Sequence, residues 1–165
     1  MFFRDLLEAF AAAKIPYCVV GGVAVNLHGI PRMTYDIDVV VALEVEALAD
    51  AEAMFLRLGL RCRLPVHLRD FADEAYRLEM RDDRNLIAVT FTDPDDPLRE
   101  VDVLVAPPVD PGELVARAVT LDLDGIPVKL VSRDDLMRMK RASGRAQDEA
   151  DLRHLERLAK ERPDG

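Results

Sequence analysis

Tyr17-Cys18-Val19-Val20-Gly21-Gly22-Val23-Ala24, followed after Arg32-Met33-Thr34-Tyr35 by Asp36-Ile37-Asp38-Val39-Val40-Val41, is the stretch on which the fold turns. Tyr17 to Val20 is short and wholly apolar, the signature of a buried strand. Gly21-Gly22 breaks it, and Val23 to His28 resumes as a helix that Gly29 and Pro31 end. Tyr35 to Ala42 is the strongest strand signal in the chain, because its β-branched run suits a pleated surface. Alternate residues of a strand share a face, so Asp36 and Asp38 project together while Ile37 and Val39 point to the core. Two ionised carboxylates roughly 6–7 Å apart repel, and a divalent cation between them removes that penalty. Oxygen donors suit Mg²⁺ or Mn²⁺. An Asp-x-Asp pair also occurs on the solvated face of an ordinary amphipathic strand, so the surroundings decide.

Upstream, two glycines between a strand and a helix permit a tight turn and a close backbone approach by a ligand. The helix start behind them offers free N–H groups suited to a phosphate. An ordinary turn has the same composition, and neither a dinucleotide fingerprint nor a Walker loop is present. Downstream, Asp102 interrupts the apolar strand Glu100 to Val105. Burying it is costly unless it is paired or bound to metal, so it is a third candidate carboxylate or the partner of a nearby Arg. Glu100 shares its face and stands in reserve as ligand or base.

The remaining chain completes an α+β order. Phe3 to Ala13 is an amphipathic helix closed by Pro16. Glu44 to Leu58 is a second, with Gly59 as its cap. Leu60 to Leu64 and Leu86 to Phe91 read as strands, Phe71 to Tyr76 as a helical turn, and Gly112 to Ala118 as helical. Pro107-Pro108 and Pro111 mark a boundary between a core of residues 1–108 and an extension, 109–165, packed on it. The extension holds a hairpin around Asp124-Gly125, a helix opened by Ser132, and a last helix from Ala146 to Lys160. The expected architecture is a mixed β-sheet flanked by helices, with a short helical tail.

The 165 residues are half hydrophobic, 32% charged and 5% aromatic, enough for an aliphatic core. A net charge of −9 argues against a protein that coats nucleic acid, and no sequence-specific DNA binding is expected. A local basic patch of Arg133, Arg138, Lys140, Arg141 and Arg145 keeps an RNA acceptor open. Cys18 and Cys62 form no disulfide framework. That cysteine usage makes a reducing cytoplasm the simplest setting; the N-terminus lacks a signal-peptide pattern and no segment reads as membrane-spanning. His28, His67 and His154 are scattered, without metal-ligand spacing.

Gly21-Gly22-x-Ala24, Arg32-x-Thr34-x-Asp36-Ile37-Asp38 and Asp102 together resemble the DNA polymerase β-type nucleotidyltransferase superfamily. Within it they are most similar to minimal nucleotidyltransferases and to the type IV abortive-infection toxin nucleotidyltransferases. Residues 1–105 carry the resemblance. Leu136-Met137-Arg138-Met139-Lys140 and Gly144 to Asp151 extend it, being similar to the basic-then-acidic helical motif of the toxin branch. Many members have Gly-Ser where this chain has Gly21-Gly22, so backbone N–H groups must replace a hydroxyl. The resemblance implies a nucleotidyltransferase fold and a nucleoside triphosphate substrate, with Mg²⁺ or Mn²⁺ held by Asp36, Asp38 and Asp102. The nucleoside monophosphate would pass to a hydroxyl of a tRNA end, a protein or a small molecule. A toxin role with a cognate antitoxin is a further implication, and a non-catalytic nucleotide-binding or partner module is the alternative. Arg32 would reach phosphate or balance Asp36, and Thr34 would orient a carboxylate. Lys140, a candidate catalytic cation, and Arg145 would fold over the cleft or remain a solvated basic run. Asp148 and Asp151 share one helical face and would bond Lys140 or Arg145, the alternative being a catalytic role for Asp148.

Overall fold

The computed structural model describes residues 2–162; Met1 and residues 163–165, the end of the expected extension, lie outside the described residues. Two strands at its centre explain the site. β1 (Tyr17–Val20) is buried along its whole length, and β2 (Ile37–Val41) is buried except at Asp38. Such strands read as continuous apolar runs because both faces of the sheet are covered. They pair antiparallel, with Val20 opposite Asp38. The remaining strands are β3 (Arg61–Cys62), β4 (Ala88–Thr92), β5 (Glu100–Leu104), β6 (Val119–Leu123) and β7 (Ile126–Leu130), and all seven form one mixed sheet in the order β3-β4-β5-β2-β1-β7-β6. β5 lies parallel to β2 and sets Asp102 opposite Asp38.

The hairpin expected after residue 108 enters this same sheet, since β7 pairs in parallel with β1 at Leu130 and Val19. Its turn is the expected Asp124-Gly125, both at positive φ. Helices cover the sheet. α1 (Phe2–Ala13) buries Leu6, Leu7 and Phe10. Phe10 stacks on Tyr17 at 4.0 Å and meets Phe55 of α3 (Val45–Arg57) edge-on at 5.9 Å. Phe55 in turn packs on Phe91 at 4.9 Å. α2 (Gly21–Leu27) follows β1 directly. α5 (Pro111–Ala116), α6 (Arg133–Ser143) and α7 (Ala146–Glu161) complete the chain. Ser132 caps α6 by accepting from the Asp135 N–H, as its sequence position implies.

Several expectations change. The helical turn predicted at Phe71 to Tyr76 is instead a 3₁₀ turn, Leu68–Ala72, followed by a full helix, α4 (Glu74–Arg84). Asp73 caps α4 through the Tyr76 N–H, and Asn85 ends it in the left-handed region. α4 buries no residue fully, and only Tyr76 and Met80, one turn apart, pack on the core, a short period among charged residues. The strand predicted at Leu60 to Leu64 shrinks to two residues, and β2 starts at Ile37, not Tyr35. Among the described residues no helix is long and apolar enough to cross a membrane.

Candidate active site

The turn from β1 into α2 begins the site. Gly21 adopts φ +65°, a conformation that costs an L side chain but not glycine. A Cβ there would lie 1.9 Å from Oδ2 of Asp38. The close approach expected for a ligand is therefore made by this chain's own carboxylate. Gly22 does the same for the opposite wall, because a Cβ on it would lie 2.7 Å from the Thr34 hydroxyl and 3.2 Å from Cζ of Arg32. The glycine pair seats Asp38 on one side and the Arg32–Thr34 loop on the other.

All nine residues singled out in the sequence meet around one cavity of about 260 Å³. Gly21, Gly22, Asp36, Asp38 and Asp102 line it with Arg32, Thr34, Lys140 and Arg145. Asp36 reaches it from the exposed residue just before β2, and Asp38 and Asp102 from adjacent strands. Among the described residues no three ligating side chains make a ready-formed metal cage. The carboxylates form an open acidic cluster, and its charge is under-compensated. Burial, Asp102 and Asp36 push the Asp38 carboxyl up to about 6, against the opposing pull of Lys140 and Arg145.

The cations are tied down. Lys140 is buried, and its ammonium bonds Asp148 and, at 2.9 Å, Asp151. Arg32 pairs with Asp151 instead of Asp36, and its backbone N–H donates to Oδ1 of Asn26 at 2.7 Å. Arg145 donates to Asp148 at 2.9 Å, and the Ser143 hydroxyl also bonds Asp148. Burial would raise the Asp148 carboxyl, but the hydrogen bonds from Lys140 and Ser143 outweigh it and hold it below the usual range. Asp148 and Asp151 thus fix three cations in the cavity wall and join α6 and α7 to the Arg32 loop.

Two roles shift. The Thr34 hydroxyl faces the backbone carbonyl of Asp36, at 3.5 Å, not a carboxylate. Glu100, held in reserve, pairs with Arg63 at 2.5 Å and is not among the residues lining the cavity. Sequence reading missed Thr90, whose hydroxyl, on β4 directly opposite Asp102 of β5, donates to its Oδ1 at 2.5 Å. Its only signal was the alternation of Val89, Thr90 and Phe91, which fixes a face but names no partner.

The members of the basic patch are interleaved with acids and acceptors of the same chain. Arg133 is buried and bonds the Arg162 carbonyl, Arg138 pairs with Asp135, and Arg141 pairs with Glu156. With Lys140 and Arg145 held by Asp148, each of its five cations has a partner inside the chain.

No protein-family model matches the chain, and no curated protein matches it by sequence. Solved structures do match its fold. The antibiotic-resistance factor ANT(2'')-Ia aligns at TM-score 0.57 and 16% identity over 96% of this chain and 80% of its own. The lincosamide antibiotic adenylyltransferase LnuA, solved with lincomycin bound, aligns at TM-score 0.60 and 11% identity over 95% and 96%. An antigenic nucleotidyltransferase-like protein from Paracoccidioides brasiliensis aligns at TM-score 0.56 and 21% identity over 93% and 71%. The chain has the nucleotidyltransferase fold, as its motifs imply.

Proposed function

We propose that the protein is an enzyme that moves a nucleoside monophosphate from a nucleoside triphosphate to an acceptor hydroxyl. One observation carries this reading. Asp38 and Asp102 stand opposite each other on parallel strands, beside Asp36 and against Gly21, with charge that nothing in the chain fully offsets. A protein with no use for a cation would gain by replacing such a carboxylate. The non-catalytic alternative would be favoured by loss of one of the three acids, and all three line the cavity.

Mg²⁺ or Mn²⁺ fits the donor set, which is all oxygen and strongly acidic. The open geometry suits it, because Mg²⁺ at phosphate-transfer sites takes one or two carboxylates and completes its shell with phosphates and water. Asp36, Asp38 and Asp102 would hold it. Such an ion, when bound, offsets charge on the attacking and leaving oxygens.

The chain's own residues do the rest. The Gly21 and Gly22 amides and the fixed charges of Arg32, Lys140 and Arg145 orient the triphosphate across the cavity. Pre-set charge of this kind needs no rearrangement as the reaction proceeds. Asp102, aimed by Thr90, takes the proton of the acceptor hydroxyl. The freed oxygen attacks the α-phosphorus and pyrophosphate leaves.

The acceptor is a small molecule in this reading. An RNA or protein acceptor, and with it a toxin role countered by an antitoxin, calls for an open basic face, whereas the chain carries a net charge of −9 and the basic patch beside the cleft is interleaved with Asp135, Asp148 and Glu156. The triphosphate substrate makes the cytoplasm the working compartment. The test is transfer of label from each α-³²P nucleoside triphosphate, with Mg²⁺ or Mn²⁺, to components of a cell extract. Label on a small molecule with wild type, and none with Asp36→Ala or Asp38→Ala, is the expected result. Equal labelling by wild type and variants would defeat the proposal.

A further inference from the structure

Beside the acidic cluster lies a second and larger cavity, of about 730 Å³. It shares Gly21, Asp38, Asp102, Lys140, Arg145 and Asp148 with the first, so the two are halves of one cleft that meet at the carboxylates. Their linings differ. The smaller half is polar. Away from the shared residues, the larger is walled by Ile87, Leu104, Pro107, Pro108, Leu136 and Met139.

The polar groups on that wall are occupied. Lys140, Ser143 and Arg145 all bond Asp148, and Arg81 at the rim bonds Asp82 at 2.8 Å. The carboxylates lining the larger half are Asp38, Asp102 and Asp148. Asp148 is committed to its three donors, and Asp38 and Asp102 to the reacting centre. Away from the shared carboxylates and cations at the junction, the wall offers no carboxylate to replace an ammonium's water and, except for Arg81 at the rim, no cation for a phosphate-rich chain. An apolar body would lose only unfavourable hydration. The volume lies in the range that encloses a drug-sized molecule.

We infer that this groove takes the acceptor, and that the acceptor is a neutral alcohol with an apolar body, not a polyamine and not a nucleic acid. The inference rests on the nucleotidyl-transfer reading. The hydroxyl would sit at Asp102, at the junction of the two halves, with the apolar body against Leu104 and Met139. Its O–H bond breaks, and the proton passes to the Asp102 carboxylate. A new O–P bond forms at the α-phosphorus, and the bond from that phosphorus to the bridging oxygen breaks to release pyrophosphate.

The test is an NMR titration of protein carrying ¹³C-methyl methionine and ¹⁵N amides, in excess Mg²⁺ so that the acidic cluster is compensated, with 3-phenylpropanol, chloramphenicol and tobramycin as separate probes. Met139 reports on the groove, and Met33, which is 77% exposed on the Arg32 loop, is the reference. At least one of the two neutral alcohols should shift the Met139 methyl with little change at Met33, and tobramycin should not. Ile87 is 49% exposed, so Ile87→Glu places a charge in the groove without opening the core. It should weaken the alcohol at least fivefold, while Ile87→Leu retains binding. A Met139 response to tobramycin alone, or to none of the three, overturns the inference, as does unchanged affinity in Ile87→Glu. A separate titration with ATP and Mg²⁺, read at the Gly21 and Gly22 amides, isolates the parent reading. If ATP binds and no alcohol reaches Met139, the acceptor class alone fails. If ATP leaves those amides unmoved, the nucleotidyl-transfer reading fails and takes the acceptor role with it.

Discussion

Asp38→Asn should stabilise the metal-free protein at neutral and alkaline pH while abolishing its activity. The Asp38 carboxyl ionises near 3.8 in an unfolded chain and only near 6 in the folded one, because burial and the neighbouring Asp102 and Asp36 oppose its charge. The folded state thus holds a proton that the unfolded state has released between those values. Stability therefore falls as pH rises from about 4 to about 6, and the loss is complete above that window. At about 1.4 kcal/mol per pH unit, the gap amounts to about 3 kcal/mol. Solvent at the open cavity mouth reduces this to about 2 kcal/mol. Asn carries no charge at any of these values, so the variant escapes the penalty. Urea unfolding in EDTA at pH 4 and at pH 8 measures it, and the comparison between the two pH values cancels any fixed offset from the amide. The stability difference, variant minus wild type, should be about 2–3 kcal/mol larger at pH 8, roughly 4–12 °C in melting temperature for a chain of this size. A difference independent of pH, or one that shrinks toward pH 8, would refute the electrostatic reasoning. Excess Mg²⁺ should stabilise wild type at pH 8 much more than the variant, because the ion supplies the missing positive charge.

Four further outcomes follow from the same geometry. Gly21→Ala should cut transfer by at least about a hundredfold, measured as kcat/KM, because a Cβ 1.9 Å from Oδ2 of Asp38 must displace the carboxylate. Thr90→Val should lower kcat roughly tenfold with KM for the triphosphate little changed, and Thr90→Ser should recover most of it, since the hydroxyl serves only to aim Asp102. Lys140→Met leaves Asp148 and Asp151 without their shared ammonium and should cost about 3 kcal/mol in denaturant unfolding. Asp135→Ala should destabilise the protein at pH 7 in denaturant unfolding, because it removes the shared partner of Arg117, Arg138 and the Ser132 hydroxyl at the start of α6; the Arg117 hydrogen bond holds the Asp135 carboxyl below its ordinary value, so this contribution is present above pH 4 and fades as pH falls below it.

The sequence carried the face of each strand but not its register. Asp36 and Asp38 share a parity, and so do Glu100 and Asp102. Only the parallel pairing of β2 with β5 selects Asp102, setting it opposite Asp38 and leaving Glu100 to Arg63. The same gap hid Thr90, whose role depends on which residue faces it across β4 and β5. α4 was hard to read because its inner face is marked only by the half-buried Tyr76 and Met80, one turn apart, with no fully buried residue between charged neighbours. The link from Arg32 to Asp151 spans 119 positions, beyond any local pattern. The bond of Lys140 to Asp148 spans only eight, within the basic-then-acidic motif that the resemblance marks. The glycine pair shows a different limit. Two glycines signalled a close approach, but composition could not tell that the approaching groups are Asp38, Thr34 and Arg32 of the same chain.

The most direct test of the central claim is calorimetric titration of the wild-type protein with the non-transferable analogue α,β-methylene ATP, with and without Mg²⁺. Saturable binding that requires Mg²⁺ and disappears in both Asp36→Ala and Asp38→Ala is the expected result. Binding of the analogue with equal affinity in EDTA, or undiminished binding by the two variants, would contradict the assignment of the acidic cluster as the metal-nucleotide site.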